Sequence, residues 1–145
     1  MSRYISIDIK LTSNERTSIR AILKTLVESG WNPMIDGLIN YLPINDNEMY
    51  NWTKEKISVD QLYEIVELKE KKQETIGVDM CWEDSNVGIS LLAYNPYEIS
   101  LGLDVNRKYI DDSTHLIDFN WYATRILLAL CKSYHVSQYK FGFVY

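Results

Sequence analysis

Residues 75–105, TIGVDMCWEDSNVGISLLAYNPYEISLGLDV, decide how this chain must fold. Two clusters of turn-forming residues, EDSN at 83–86 and YNPY at 94–97, divide the stretch into three runs at about 75–83, 87–94 and 97–105. Within each run the side chains alternate. Ile76, Val78, Met80 and Trp82 fall on one face, with Gly77, Asp79, Cys81 and Glu83 on the other. Val87, Ile89, Leu91 and Ala93 oppose Gly88, Ser90, Leu92 and Tyr94; Tyr97, Ile99, Leu101, Leu103 and Val105 oppose Glu98, Ser100, Gly102 and Asp104. A period of two with one apolar side marks a strand covered on one face only. Connections this short leave no room for a crossover helix, so the three strands form an antiparallel meander.

The flanking sequence supplies the cover. Residues 4–11, YISIDIKL, alternate in the same way, with Ile5, Ile7, Ile9 and Leu11 on one side. Residues 14–29 read as a helix, with Ile19, Ile22, Leu23, Leu26 and Val27 at helical spacing. Thr12 and Glu15 have capping-box spacing at its start, and Gly30 is a stop signal. Asp36-Gly37 predicts a hairpin turn between two short strands within 31–43. Polar residues 44–52, INDNEMYNW, read as a loop. Ser58, with Gln61 three residues on, opens a second helix whose stripe is Leu62, Ile65, Val66 and, in line with them, Lys69. A third helix at 118–133 should turn Trp121, Ile126, Leu127, Leu130 and Cys131 inward. The chain then closes as a strand with Tyr139, Phe141, Phe143 and Tyr145 on one face. Hairpin-linked strands mixed with amphipathic helices predict an α+β fold: a mostly antiparallel sheet of about five to seven strands, with about two to three helices packed on one face. The 145 residues contain no linker, repeat or low-complexity tract, so one domain spanning 1–145 is expected.

Composition narrows the function classes. There are 15 Lys and Arg against 20 Asp and Glu, for a net charge of −5. The densest basic stretch, KEKKQE at 69–74, is broken by glutamates, which disfavours direct nucleic-acid binding. No apolar run approaches the roughly 20 residues that span a membrane. The start, MSRYISIDIKL, alternates rather than forming the apolar centre of an export signal. With two cysteines and no such signal, a cytoplasmic, disulfide-free protein is expected, and the NWT sequon at 51–53 carries no glycan there.

Chemistry-bearing motifs are few. A thiol nucleophile needs a base beside it. Cys81 instead has carboxylate neighbours, which would raise its pKa, and Cys131 falls on the apolar side of its helix. His115 and His135 lie in a polar segment and at a helix–strand junction. The two Cys and two His match no zinc spacing, and the acidic clusters at 45–48 and 111–112 lack the calcium-loop pattern. The P-loop, dinucleotide, nucleophile-elbow and HExxH signatures are absent. Glu98 and Asp104 could serve as paired glycosidase carboxylates, but a flat sheet offers little cleft for a sugar. A small enzyme built on Cys81 or those carboxylates is therefore the weaker reading. No cofactor, no metal and no catalysis are expected.

Charge patterning points to binding. The solvent-side set of the meander holds Asp79, Glu83, Glu98 and Asp104, with Cys81, Ser90, Tyr94 and Ser100 among them, and no Lys or Arg. Trp82 reads as core and Asp84 as a turn former. The chain is rich in Tyr (11) and Trp (4) relative to Phe (3), and Tyr and Trp favour interfaces. Residues 40–52, NYLPINDNEMYNW, set Tyr41, Tyr50 and Trp52 around an acidic loop. Asp79, Glu83, Tyr94, Glu98, Asp104, Tyr41, Tyr50 and Trp52 are thus the candidate partner-binding residues. The expected partner is a basic protein, with a homodimer or homo-oligomer as an alternative use of a strand edge or of the acidic face. In its acidic meander at 77–104 and its aromatic–acidic loop at 40–52, the chain resembles the small bacterial immunity proteins of polymorphic toxin systems. That resemblance implies tight, non-catalytic binding of one cognate toxin, with the acidic face plugging a basic active site.

Overall fold

A computed structural model describes residues 4–12 and 17–144. The meander forms as its alternation predicts: β6 (Ile76–Trp82), β7 (Gly88–Asn95) and β8 (Glu98–Val105) pair antiparallel, with Val78 opposite Leu91 and Leu91 opposite Leu101. β1 (Tyr4–Leu11) lies between β8 and the C-terminal β11 (Val136–Val144). On the other side of the meander stand β4 (Leu38–Tyr41) and β3 (Met34–Ile35), giving the order β11-β1-β8-β7-β6-β4-β3. β2 (Trp31–Asn32) pairs with β6 and β5 (Thr53–Glu55) with β4. A separate two-stranded ribbon joins β9 (Tyr109–Asp111) and β10 (Leu116–Ile117). The sheet is antiparallel throughout, and the fold is α+β. The excess over seven strands comes from pieces of two or three residues, too short to show a period.

Three helices cover one face. α1 (Ile19–Ser29) buries Ile19, Ile22, Leu23 and Leu26. Each such side chain contributes about 1.5–3 kcal/mol by leaving water. Its N-cap is Ser18, whose hydroxyl accepts from the Ala21 amide, while the Glu70 carboxylate accepts from the Ile19 amide at 2.9 Å. The helix therefore starts later than the expected residue 14; Glu15 lies outside the described residues. At the far end Gly30 adopts φ +132° and ends the helix. α2 (Val59–Lys71) begins with the full Ser58–Gln61 capping box and buries Leu62, Tyr63, Val66 and Lys69. α3 (Phe119–Ser133) buries Tyr122, Ile126, Leu127 and Leu130. Two expectations for α3 are corrected: Cys131 is exposed and Trp121 only half-buried. Residues 122, 126 and 130 recur every four positions, and one further step of about 100° carries Cys131 off that stripe.

The core is the apolar side of the sheet, Ile5, Ile7, Ile9, Val78, Met80, Ile89, Leu91 and Leu101 among it, packed on these helix stripes. One end is aromatic. Trp31 is fully buried opposite Trp82, its indole N–H donates to the Arg125 carbonyl at 3.0 Å, and Trp121 completes a set of edge-to-face rings 5.2–6.4 Å apart. The Arg125 guanidinium stacks 4.3 Å from the Trp121 ring centre. On β11, Tyr139 and Phe141 sit opposite Ile9 and Ile7 on the helix-covered side. Tyr145 lies outside the described residues.

Candidate functional site

The uncovered face of the sheet is not one acidic plane. The loop after β4 folds over part of it. Leu42 and the Trp52 ring press on Gly77, where a Cβ would stand 2.7 Å from Leu42 and 2.8 Å from Trp52. Tyr50 reaches Tyr94, hydroxyl to hydroxyl, at 3.1 Å. The loop's backbone is unusual: Asn45, Asn47, Glu48 and Tyr50 all have φ between +54° and +64°. Local partners hold it there. The buried Asp46 carboxylate accepts from the Tyr50 and Asn51 amides at 2.8 and 3.0 Å. Lys69, 1% exposed, donates to the Leu42 and Pro43 carbonyls, both at 2.8 Å. Burial lowers its pKa, with Glu74 and Asp46 pulling the other way.

Beside this cover lies an open recess of about 550 Å³. Asp79, Cys81 and Asn40 line its base, from β6 and β4. One side is the β3–β4 hairpin, which presents Met34, Leu38 and, at its Asp36-Gly37 turn, the Asp36 carboxylate. Glu83, Asp84 and Asn86 of the β6–β7 turn form the other side. Two neighbours hold the Asp79 carboxylate: the Ser90 hydroxyl and the Asn40 amide, the latter at 2.7 Å. Asn40 buries its other amide atom, Oδ1, where no donor among the described residues reaches it. The recess thus gathers Asp36 from the β3–β4 turn and Asp79, Glu83 and Asp84 from β6 and the turn that follows it, with Lys54 as the single base among the described residues that line it.

The other expected contact residues scatter. Glu98 and Tyr94 line a second groove of about 320 Å³, where Lys10 and Lys140 offset the acids. Asp104 pairs with Arg107 at 3.0 Å. The base-free outer face expected of the meander is therefore corrected, because the neighbouring strands and Arg107 bring positive charge onto it. Tyr41 leaves the set altogether: it faces the core opposite Val78, 5% exposed, and donates to Glu55 at 2.9 Å. Tyr50 and Tyr94 are exposed, and Trp52 is half-buried against Gly77. In the β6–β7 turn it is Ser85, rather than Asp84, whose hydroxyl bonds backbone groups, at Trp82 and Val87.

Reading the sequence alone misses Asp36 and Asp84 as members of the site. Asp36-Gly37 announces the hairpin, and its acid marks a turn tip. Nothing local says that β4 pairs with β6 and so carries that tip to Asp79 and Glu83. Cys81, expected on the open face, is buried beneath the recess. Burial pushes its thiol pKa up, and Asp79 and Asp36 add to the shift, so the thiol stays protonated at neutral pH and is a poor nucleophile. Neither histidine lines the recess; His115 stacks on Tyr109 in the β9–β10 ribbon. Among the described residues, no three His, Cys, Asp or Glu side chains are grouped to hold a metal ion, and no helix is long and apolar enough to cross a membrane. Comparisons with known families, with characterised proteins and with solved structures return no match.

Proposed function

We propose that this chain is a non-catalytic, cytoplasmic protein-binding module whose acidic recess receives a basic segment of a partner protein. It would act in the manner of the immunity proteins it resembles, by blocking a cognate toxin's basic active site. One observation carries the reading: Asp36 of the β3–β4 turn and Asp79, Glu83 and Asp84 of β6 and its turn line one concavity with a single base among its described residues. Like charges so gathered are unfavourable in the free protein and become favourable when a cation sits among them. Met34, Ile35 and Leu38 give the recess an apolar wall for the alkyl stem of a bound Arg or Lys.

Affinity capture from the native cells tests this with two variants. Asp36→Asn, Glu83→Gln and Asp84→Asn together neutralise exposed acids of the recess; Glu98→Gln with Asp104→Asn neutralises acids elsewhere. A basic protein should be held by the wild type and by the second variant, and lost from the first. Its toxicity when expressed alone should be relieved by co-expression of the wild-type chain. Equal capture by both variants would overturn the assignment of the recess.

A further inference from the structure

The two edges of the sheet are built differently. At the recess end the sheet finishes in β3, with β2 and β5 beside it, strands of two or three residues. Such pieces offer an incoming strand little to pair with, and Lys54 and Glu55 add charge to β5. Short, charged edges are how sheets avoid unwanted pairing. At the opposite end, β11 runs for nine residues and, among the described residues, pairs on one side only, with β1. It contains no proline and one charge, Lys140. Its irregularity lies at the start, where Lys10 pairs with Gln138 and Leu11 with Val136; from 138 to 144 the register is unbroken. Along these seven regular positions, alternate residues turn their N–H and C=O away from β1 and form a row of outward groups.

On the helix-covered side that edge carries apolar surface; its other side presents Gln138 and Lys140. Tyr139, on the helix side of β11, is 56% exposed, and Leu128 of α3 is 55% exposed. α3 packs against α1 and β11, so it is the helix that flanks this edge. No acidic residue occurs after Asp118, so nothing within 119–145 repels another backbone carbonyl row or makes a basic partner the natural occupant.

We infer that β11 is a homodimerisation edge: two copies join antiparallel through β11, extending the sheet across a two-fold axis. Self-pairing has a favoured register. Centred on Lys140, it would set the two ammonium groups directly opposite each other, which is destabilising. Centred on Phe141, it uses the whole regular stretch, places 139 opposite 143 and Lys140 opposite Gly142 of the second copy, and so separates the lysines. In that register the exposed Tyr139 lies in the seam, and the α3 helices of the two copies approach on the helix-covered side. Both recesses stay free at the far ends of the joined sheet, so this inference does not rest on the binding reading above.

Sedimentation velocity over the micromolar range, with hydrogen exchange on the same samples, decides it. The wild type should show twice the 17.0 kDa chain mass. Amides of 138–144 that do not bond to β1 should be protected in the dimer and lose protection on dilution. Tyr139→Lys should restore the monomer with an unchanged circular dichroism spectrum, while Tyr94→Lys, at an exposed tyrosine on the other face, should leave the dimer intact. A wild type that stays monomeric, a dimer that survives Tyr139→Lys, or a dimer without β11 protection would each overturn the proposal.

Discussion

A tyrosine in an acid-flanked stretch reads as a contact residue, yet Tyr41 sits inside the core with its hydroxyl on Glu55. Its phenol is pushed up from 10.0 to about 12, first by burial and then by the Glu55 carboxylate that accepts its hydrogen bond. Burial likewise raises Tyr63 and Tyr122. Below pH 10 the phenols are neutral in both folded and unfolded chains, so their contribution is fully present. As pH rises from 10 towards 12 the unfolded chain loses these protons and the folded one keeps them, so stability falls. Denaturant unfolding measured across that window should show a steep alkaline decline. Tyr41→Phe should make the decline shallower, although it also removes the bond to Glu55 and lowers stability at neutral pH. An identical slope in the variant would show that Tyr41 does not titrate late. Lys69 shows the same limit of local reading: helical spacing places it on the stripe of α2, and only the fold explains why an ammonium belongs there. It meets two carbonyls of a loop that begins 27 residues earlier in the chain.

At the scale of elements, legibility follows length and local chemistry. β1, β6, β7 and β8 are long enough for alternation to declare them, and α2 is declared by Ser58 and Gln61. There the Ser58 hydroxyl accepts from the Gln61 amide at 3.1 Å, and the Gln61 carbonyl accepts from the Ser58 amide at 2.8 Å. Removing such a cap costs about 1 kcal/mol. Ser58→Ala should therefore lower the denaturant midpoint without changing the slope of the transition, because the same surface is exposed on unfolding. A midpoint equal to the wild type would mean that solvent replaces the box at no cost. The start of α1 is not legible, because several residues with cap chemistry precede it: the Thr12–Glu15 pair matches the sequence rule, but Ser18 makes the bond, and Glu70 of α2 completes the cap from 51 residues away. β2 and β5 were not legible either. A strand of two or three residues has no period, and each exists because a longer neighbour supplies its partners.

For the molecule as a whole, the acids that line the recess come from two stretches, residue 36 and residues 79–84, and only strand pairing brings Asp36 to the others. That is why the acidic character of the meander was readable and the recess was not. The same assembly sets a tension between stability and binding. Asp36, Glu83 and Asp84 are exposed carboxylates around one concavity, with Lys54 alone to offset them. Exposed like charges repel through water and are screened by salt over a Debye length of about 10 Å at 0.1 M. Because the groups are exposed, the penalty is small. Added sodium chloride should then raise the melting temperature of the wild type by relieving the repulsion. The combined Asp36→Asn, Glu83→Gln and Asp84→Asn variant should start higher at low salt and respond less. Glu98→Gln with Asp104→Asn should show the opposite. Glu98 shares its groove with Lys10 and Lys140, and Asp104 bonds Arg107, so removing these acids deletes attractions instead of repulsions. Calorimetry of the three proteins across a salt series separates the two cases. If the recess variant melts no higher than the wild type at low salt, the four acids do not act as a cluster, and the electrostatic basis for a cationic ligand in the recess falls with it.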